Sequence, residues 1–283
     1  MTDPLYIPPY SRSLESVVSS QMRLGIQGFP GTGKTYAAVQ FPNPVVLNLD
    51  RGLGVHDGKS NIIELPFYDL TFVKTIYPST PPNVRDAVLL WLNKYGSQLT
   101  SSQTLIIDTL TEMEKAYHAQ VKAHPFISKQ GKADGFEEWT QKITYFDEIW
   151  TECKRFDCNV VLLAHETEKD MSKIRPLLTG QAGDKIVGNF TDWFRAITIA
   201  KPPTEKIDAF KKAYNLSDND YRLWMNSTPV DCQVLYLWQT QSDDKFDAKV
   251  SSLVGLPKYV LASPAIFSDA RYKKKISSAT TTV

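Results

Sequence analysis

An α/β fold with a mainly parallel central sheet is what this sequence predicts, on three observations. A glycine-rich turn, Gly28-Phe29-Pro30-Gly31-Thr32-Gly33-Lys34-Thr35, joins a short alternating strand to a helical pattern. Apolar runs at residues 45–49, 105–107 and 160–164 recur between helical stretches, the signature of repeated β-α units. Apart from Asn48 these runs are apolar throughout rather than alternating, as strands covered on both faces are.

In chain order, Met22-Arg23-Leu24-Gly25-Ile26-Gln27 alternates as a strand, and the helix after Lys34 stops before Pro42. Residues 84–95 set Val84, Ala87, Val88, Trp91, Leu92 and Tyr95 on one helical face. Asp134 caps a further helix, with Glu137 placed as in a capping box. That helix puts Phe136, Trp139, Ile143, Phe146, Trp150 and Cys153 on a stripe read as core packing. Residues 194–200, 221–225 and 232–240 read as strands, the last two close enough to pair. The domain reading is an extended arm at 1–20, one large α/β domain at 21–265 and a polar, disordered tail at 266–283.

Composition narrows the classes. With 283 residues, 42% apolar and 22% charged, the chain can bury a large core. No run approaches ~18 apolar residues, and the N-terminus lacks a secretory pattern. Cys153, Cys158 and Cys232 show no metal spacing and read as reduced thiols, which implies a cytoplasmic protein. The net charge of +1 means that any nucleic-acid contact comes from a local patch.

The glycine-rich turn fits G-x-x-x-x-G-K-[ST], the phosphate-binding P-loop. Its backbone amides face an anion at a helix N-terminus. The expected nucleotide-binding set is Gly28, Phe29, Pro30, Gly31, Thr32, Gly33, Lys34, Thr35 and Tyr36, for ATP with Mg²⁺. Lys34 would neutralise the β- and γ-phosphates, and the Thr35 hydroxyl would ligate Mg²⁺. Asp108 ends the strand at 105–107, expected beside the P-loop strand, and is the second metal residue.

The order of residues 28–35, 45–52, 105–112 and 160–166 resembles the RecA-type ATPase core. Within it, the chain is similar to small phage-encoded RecA-core proteins that act in single-strand annealing and recombination. The likeness spans roughly residues 20–262, with a weaker fifth piece at 176–180 followed by Asp192. It implies a three-layer sheet with a C-terminal antiparallel extension. It also implies assembly of copies into a ring or filament with ATP at the junctions, single-stranded DNA as partner, and work in the host cytoplasm. A single-strand-binding protein is a further implied partner. By the same resemblance Asp50 would polarise the attacking water, where RecA has the longer Glu, and His165 would sense the γ-phosphate, where RecA has Gln. The segment from 166 to 188, with Lys169, Lys173, Arg175 and Lys185, matches RecA's DNA-contacting loop but also carries acids. A second candidate DNA loop is 124–134, with Phe126, Lys129 and Lys132. Lys249, and after it Lys245, match cations that reach a neighbouring subunit's nucleotide. Some relatives carry Lys-Asn-Arg where this chain has Lys249-Val250-Ser251, so an arginine is missing there.

Three rivals stay open: a helicase-like or DNA-packaging motor, a small-molecule kinase, and a nucleotide-binding module with little turnover. Arg51, Arg85 and Arg175 are scattered rather than gathered into a lid, which counts against the kinase.

Overall fold

A computed structural model describes residues 21–53, 61–169, 173–179, 182–227 and 232–273. The strands are β1 (Arg23–Gly28), β2 (Pro44–Asn48), β3 (Ile63–Pro66), β4 (Thr104–Asp108), β5 (Asn159–Lys169), β6 (Lys173–Pro176), β7 (Asp192–Ala200), β8 (Val234–Gln239), β9 (Lys249–Val250) and β10 (Tyr259–Leu261). The helices are α1 (Lys34–Ala38), α2 (Leu70–Ile76), α3 (Val84–Tyr95), α4 (Leu110–Ala123), α5 (Gly135–Arg155), α6 (Ala182–Asn189), α7 (Ile207–Tyr214) and α8 (Asp218–Asn226). No helix among the described residues is long and apolar enough to cross a membrane.

The sheet order is β10-β8-β7-β1-β5-β4-β2-β3, with β6 on β5 and β9 on β7. Neighbours from β7 to β3 are parallel, while β6, β8, β9 and β10 pair antiparallel. This is the expected mixed sheet of a P-loop fold, with the antiparallel extension at its C-terminal end. One feature differs from expectation: β5 lies between β1 and β4, so Asp108 ends a strand one place removed from the P-loop strand.

Side-chain parity builds the layers. Leu105 and Ile107 of β4 pack with the layer of α3, α4 and α5, whereas Ile106 faces the other side with Ala37 and Ala38 of α1. A third cluster joins Trp224 of α8 to Leu235 and Leu237 of β8.

Four expectations are corrected. Residues 221–225 lie in α8, not in a strand. Ser217 caps that helix by accepting the Asp220 N–H at 3.1 Å, and Tyr221, Trp224 and Met225 have helical spacing. The partner of β8 is accordingly β7. The α5 stripe is core only from Phe146 through Trp150 to Cys153; Phe136 and Trp139 are exposed. Asp134 does cap α5, accepting the Glu137 N–H at 3.0 Å, but the Glu137 carboxylate bonds Gln141 rather than closing a capping box. Finally, residues 266–273 are packed: Ile266 is buried, Phe267 lies against Phe194, and the Val254 N–H bonds the Tyr272 carbonyl at 2.9 Å. The arm at 1–20 and the tail from 274 lie outside the described residues.

Candidate active site

The turn after β1 is shaped by two glycines. Gly31 and Gly33 stand at φ of 80° and 77°, a region side-chain-bearing residues avoid. A Cβ on Gly33 would also come within 2.4 Å of the Tyr236 ring. Thr32 closes the turn, its hydroxyl donating to the Phe29 carbonyl at 2.8 Å. Phe29 and Pro30 are exposed on the rim, and Tyr36 packs its ring 5.3 Å from that of Tyr236. Lys34 is buried, and its ammonium donates to the carbonyls of Gly28 at 2.8 Å and Phe29 at 2.9 Å. Burial lowers its pKa, opposed by Asp108, Glu166 and Asp50.

Although β5 intervenes, Thr35 reaches Asp108. Its hydroxyl donates to Asp108 Oδ2 at 2.8 Å from the first turn of α1. Asp108 is fully buried, and its Oδ1 has no hydrogen-bond partner among the described residues. Burial first, then the Asp50 charge, push its carboxyl up to about 7. Asp50 lies two residues beyond β2 and accepts the Gly52 N–H at 2.8 Å. His165 sits in register with Gly28, and its backbone N–H donates to Thr111 Oγ1 at 3.0 Å. Its Nδ1 is 3.5 Å from the Lys34 ammonium and its Nε2 is 3.9 Å from Asp50 Oδ2. Burial and then Lys34 lower its pKa, so the imidazole is neutral at pH 7. An ammonium only donates, which leaves the proton on Nε2.

Lys34, Thr35, Asp50, Asp108 and His165 are thus gathered on one sheet edge. The residues fit Mg²⁺ and a triphosphate. A hydroxyl and an orphaned buried carboxylate oxygen are hard donors, and a cation there would offset the Asp50–Asp108 repulsion. Among the described residues no group of three or more His, Cys, Asp or Glu could enclose a metal. That suits an ion held partly by phosphate and water.

Other expected residues are placed elsewhere. The segment after His165 is a β-hairpin followed by a helix rather than a loop. Beyond the last β1 partner, β5 continues to Lys169 and pairs with β6. Lys173 is ion-paired with Asp247 at 2.6 Å, Arg175 is exposed on β6, and Lys185 is exposed on α6. Lys249 pairs with Trp193 of β7 and donates to the Gly188 carbonyl at 2.7 Å. That is the level of Gly25, three residues or roughly 10 Å short of this chain's own Gly28. The Lys245 carbonyl accepts the Ile174 N–H at 2.6 Å.

Two buried ion pairs carry no signal in the sequence. Arg195 of β7 grips Glu166 with bonds of 2.9–3.1 Å, across the end of β1. Glu114 of α4 and Lys142 of α5 pair at 3.1 Å, and Glu114 also accepts the Thr179 N–H at 3.0 Å, pinning the segment after β6. Partners 29 and 28 positions apart share no local pattern.

A family model described as an AAA domain matches residues 20–249, more than half of the chain. No curated protein matches it.

Proposed function

Because the chain belongs to the AAA domain family, whose P-loop ATPase chemistry it shares, we propose that it is a RecA-type core that hydrolyses ATP and acts on single-stranded DNA in annealing or recombination. The observation that carries the catalytic half is the convergence of Lys34, Thr35, Asp50, Asp108 and His165 on one edge. The P-loop amides would hold the phosphates, and Lys34 would leave the Gly28 and Phe29 carbonyls for phosphate oxygens. Asp50 would accept a hydrogen bond from the attacking water and orient it. Neutral His165 would donate through Nε2 to the γ-phosphate and pass its presence along β5. Thr35 and Asp108 would hold Mg²⁺, which neutralises phosphate charge when bound. Most of the rate would come from positioning and charge stabilisation.

The DNA half is supported by the strand that carries His165. It continues past the sheet edge into the β5–β6 hairpin, which bears Lys169, Lys173 and Arg175, with Lys185 on α6 beyond. In this reading copies assemble into a ring or filament, with Lys249 or Lys245 of one copy approaching its neighbour's ATP. A single-strand-binding protein is the expected partner, and a phage origin with work in the host cytoplasm follows from the same resemblance. A second reading, a nucleotide-binding module with little turnover, is favoured by Lys249 being spent on the Gly188 carbonyl with no arginine beside it.

Phosphate release measured with and without single-stranded DNA, with Lys34→Ala as control, tests both. Stimulation that vanishes in the control supports the first reading. Tight ATP binding with very slow, unstimulated turnover selects the second.

A further inference from the structure

Helices α4 and α5 form an antiparallel pair: Glu114 meets Lys142, and His118 Nδ1 lies 3.1 Å from a Glu138 carboxylate oxygen. Since α4 begins two residues after the end of β4, and α5 returns toward the start of β5, the pair stands beyond the edge that holds the P-loop. Its tip is a small hairpin. Ile127 bridges Ala133, and the Ser128 N–H bonds the Lys132 carbonyl at 2.8 Å. Phe126 turns inward against the core, so the exposed apolar groups of the tip are different ones. Phe136 is 76% exposed, Ile127 60% and Trp139 38%. The Phe136 and Trp139 rings lie 6.3 Å apart at 35°, side by side in the first turns of α5.

Charge decides what such a surface suits. The acids of the tip keep their charge but are tied back to the protein: Asp134 caps α5, Glu137 takes Gln141, and Glu138 takes His118. Lys122, Lys129 and Lys132 are exposed and have no ion pair among the described residues. Exposed aromatic faces on a tip that also carries three unpaired ammonium groups complement a flexible polyanion with flat, unstacked bases. An apolar protein partner would leave those lysines without a counter-charge.

We infer that Phe136 and Trp139, with Ile127, form a base-stacking platform for single-stranded DNA, and that Lys122, Lys129 and Lys132 contact its phosphates. The inference rests on the DNA reading above and assigns it a place distinct from the β5–β6 hairpin.

The molecule carries its own reporter. Of the six tryptophans only Trp139 is exposed; the other five are at most 7% exposed. Titrating the full chain with a thirty-residue oligothymidylate should therefore quench its fluorescence. In parallel, anisotropy of the labelled oligomer should show Phe136→Ala/Trp139→Ala binding about tenfold weaker or worse. Trp139→Phe keeps a ring and should restore most of the affinity. Lys129→Gln/Lys132→Gln should flatten the slope of log K against log[salt] by about 1.4. Thermal unfolding checks that the variants fold, which exposed side chains favour. If the chain binds the oligomer but the fluorescence and the double variant's affinity are unchanged, the platform is refuted while the DNA reading stands. If the double variant changes the assembled mass by light scattering and leaves affinity per protomer intact, the surface joins copies and the platform is again refuted. If the unaltered chain does not bind the oligomer even at low salt, the DNA reading fails and takes the platform with it.

Discussion

The P-loop edge and the α4–α5 tip hold their chemistry in opposite ways. At the edge, Lys34 and Asp108 are buried and fixed by Gly28, Phe29 and Thr35. At the tip, Phe136 and Trp139 face solvent, their ring centroids 6.3 Å apart. The first region is preorganised and electrically uncomfortable: two carboxylates, a desolvated ammonium and a neutral histidine share one space. Such groups cost stability until a polyanion with a cation arrives. The second region forgoes the stabilisation that burying its rings would bring, and regains it only from what it binds. Substitutions at the edge should therefore move both rate and stability, and those at the tip should move affinity alone.

The largest effect should come from Lys34→Ala. Removing the one ammonium at the turn should lower kcat by about 10²–10³-fold, read by phosphate release, with the fold intact by circular dichroism. An unchanged rate would sever the edge from the chemistry.

Asp108→Asn separates rate from stability. The folded carboxyl titrates near 7 and an unfolded one near 3.8, so its contribution to stability is whole below the lower value. It is lost as pH rises through about 7, because the native state must then bury a charge. At about 1.4 kcal/mol per unit, the loss reaches roughly 4 kcal/mol at most. Nucleotide-free Asp108→Asn should therefore resist urea better than the parent at pH 8 and about equally at pH 3, while hydrolysis falls by about 10²-fold. A variant less stable than the parent at pH 8 would mean that the carboxylate is not strained.

Smaller effects should follow at the water and the sensor. Asp50→Asn should lower kcat by about 10²-fold or less, with ATP affinity kept. His165→Gln should cost about tenfold or less in rate, yet weaken any stimulation by DNA more than basal turnover. Equal losses of both would place His165 in catalysis alone. The mildest measurement is salt: with three or four phosphate contacts, log K for single-stranded DNA should fall with log[salt] at a slope of about −2 to −3. Salt-independent binding would break the contrast between the two regions at its outer end.

Much of the edge was legible without a structure. The P-loop is contiguous, and Asp50, Asp108 and His165 each follow an apolar run by one or two residues, so a strand-end reading puts all three on the same side. The helix at 84–95 was equally plain, because its apolar period is local. The tip was not. Phe136 and Trp139 share a helical period with Phe146 and Trp150, and periodicity cannot say where a helix outruns the sheet that covers it. Residues 221–225 failed for a related reason: a bulky run resembles a strand until Ser217 and the cluster around Trp224 choose the helix.

The sequence by itself determined the phosphate turn, the parallel strands and the acids at their ends. All of these rest on backbone preferences and hydrophobic patterns within about ten residues. Only the tertiary structure decided that β5 separates Asp108 from the P-loop strand, that Arg195 takes Glu166, that Lys249 spends its charge on Gly188, and that two aromatic rings of a core-like stripe stand in water. The reason is physical. A partner across the fold is chosen by which surfaces the whole chain can bury together, and that choice leaves no trace in the spacing of neighbours.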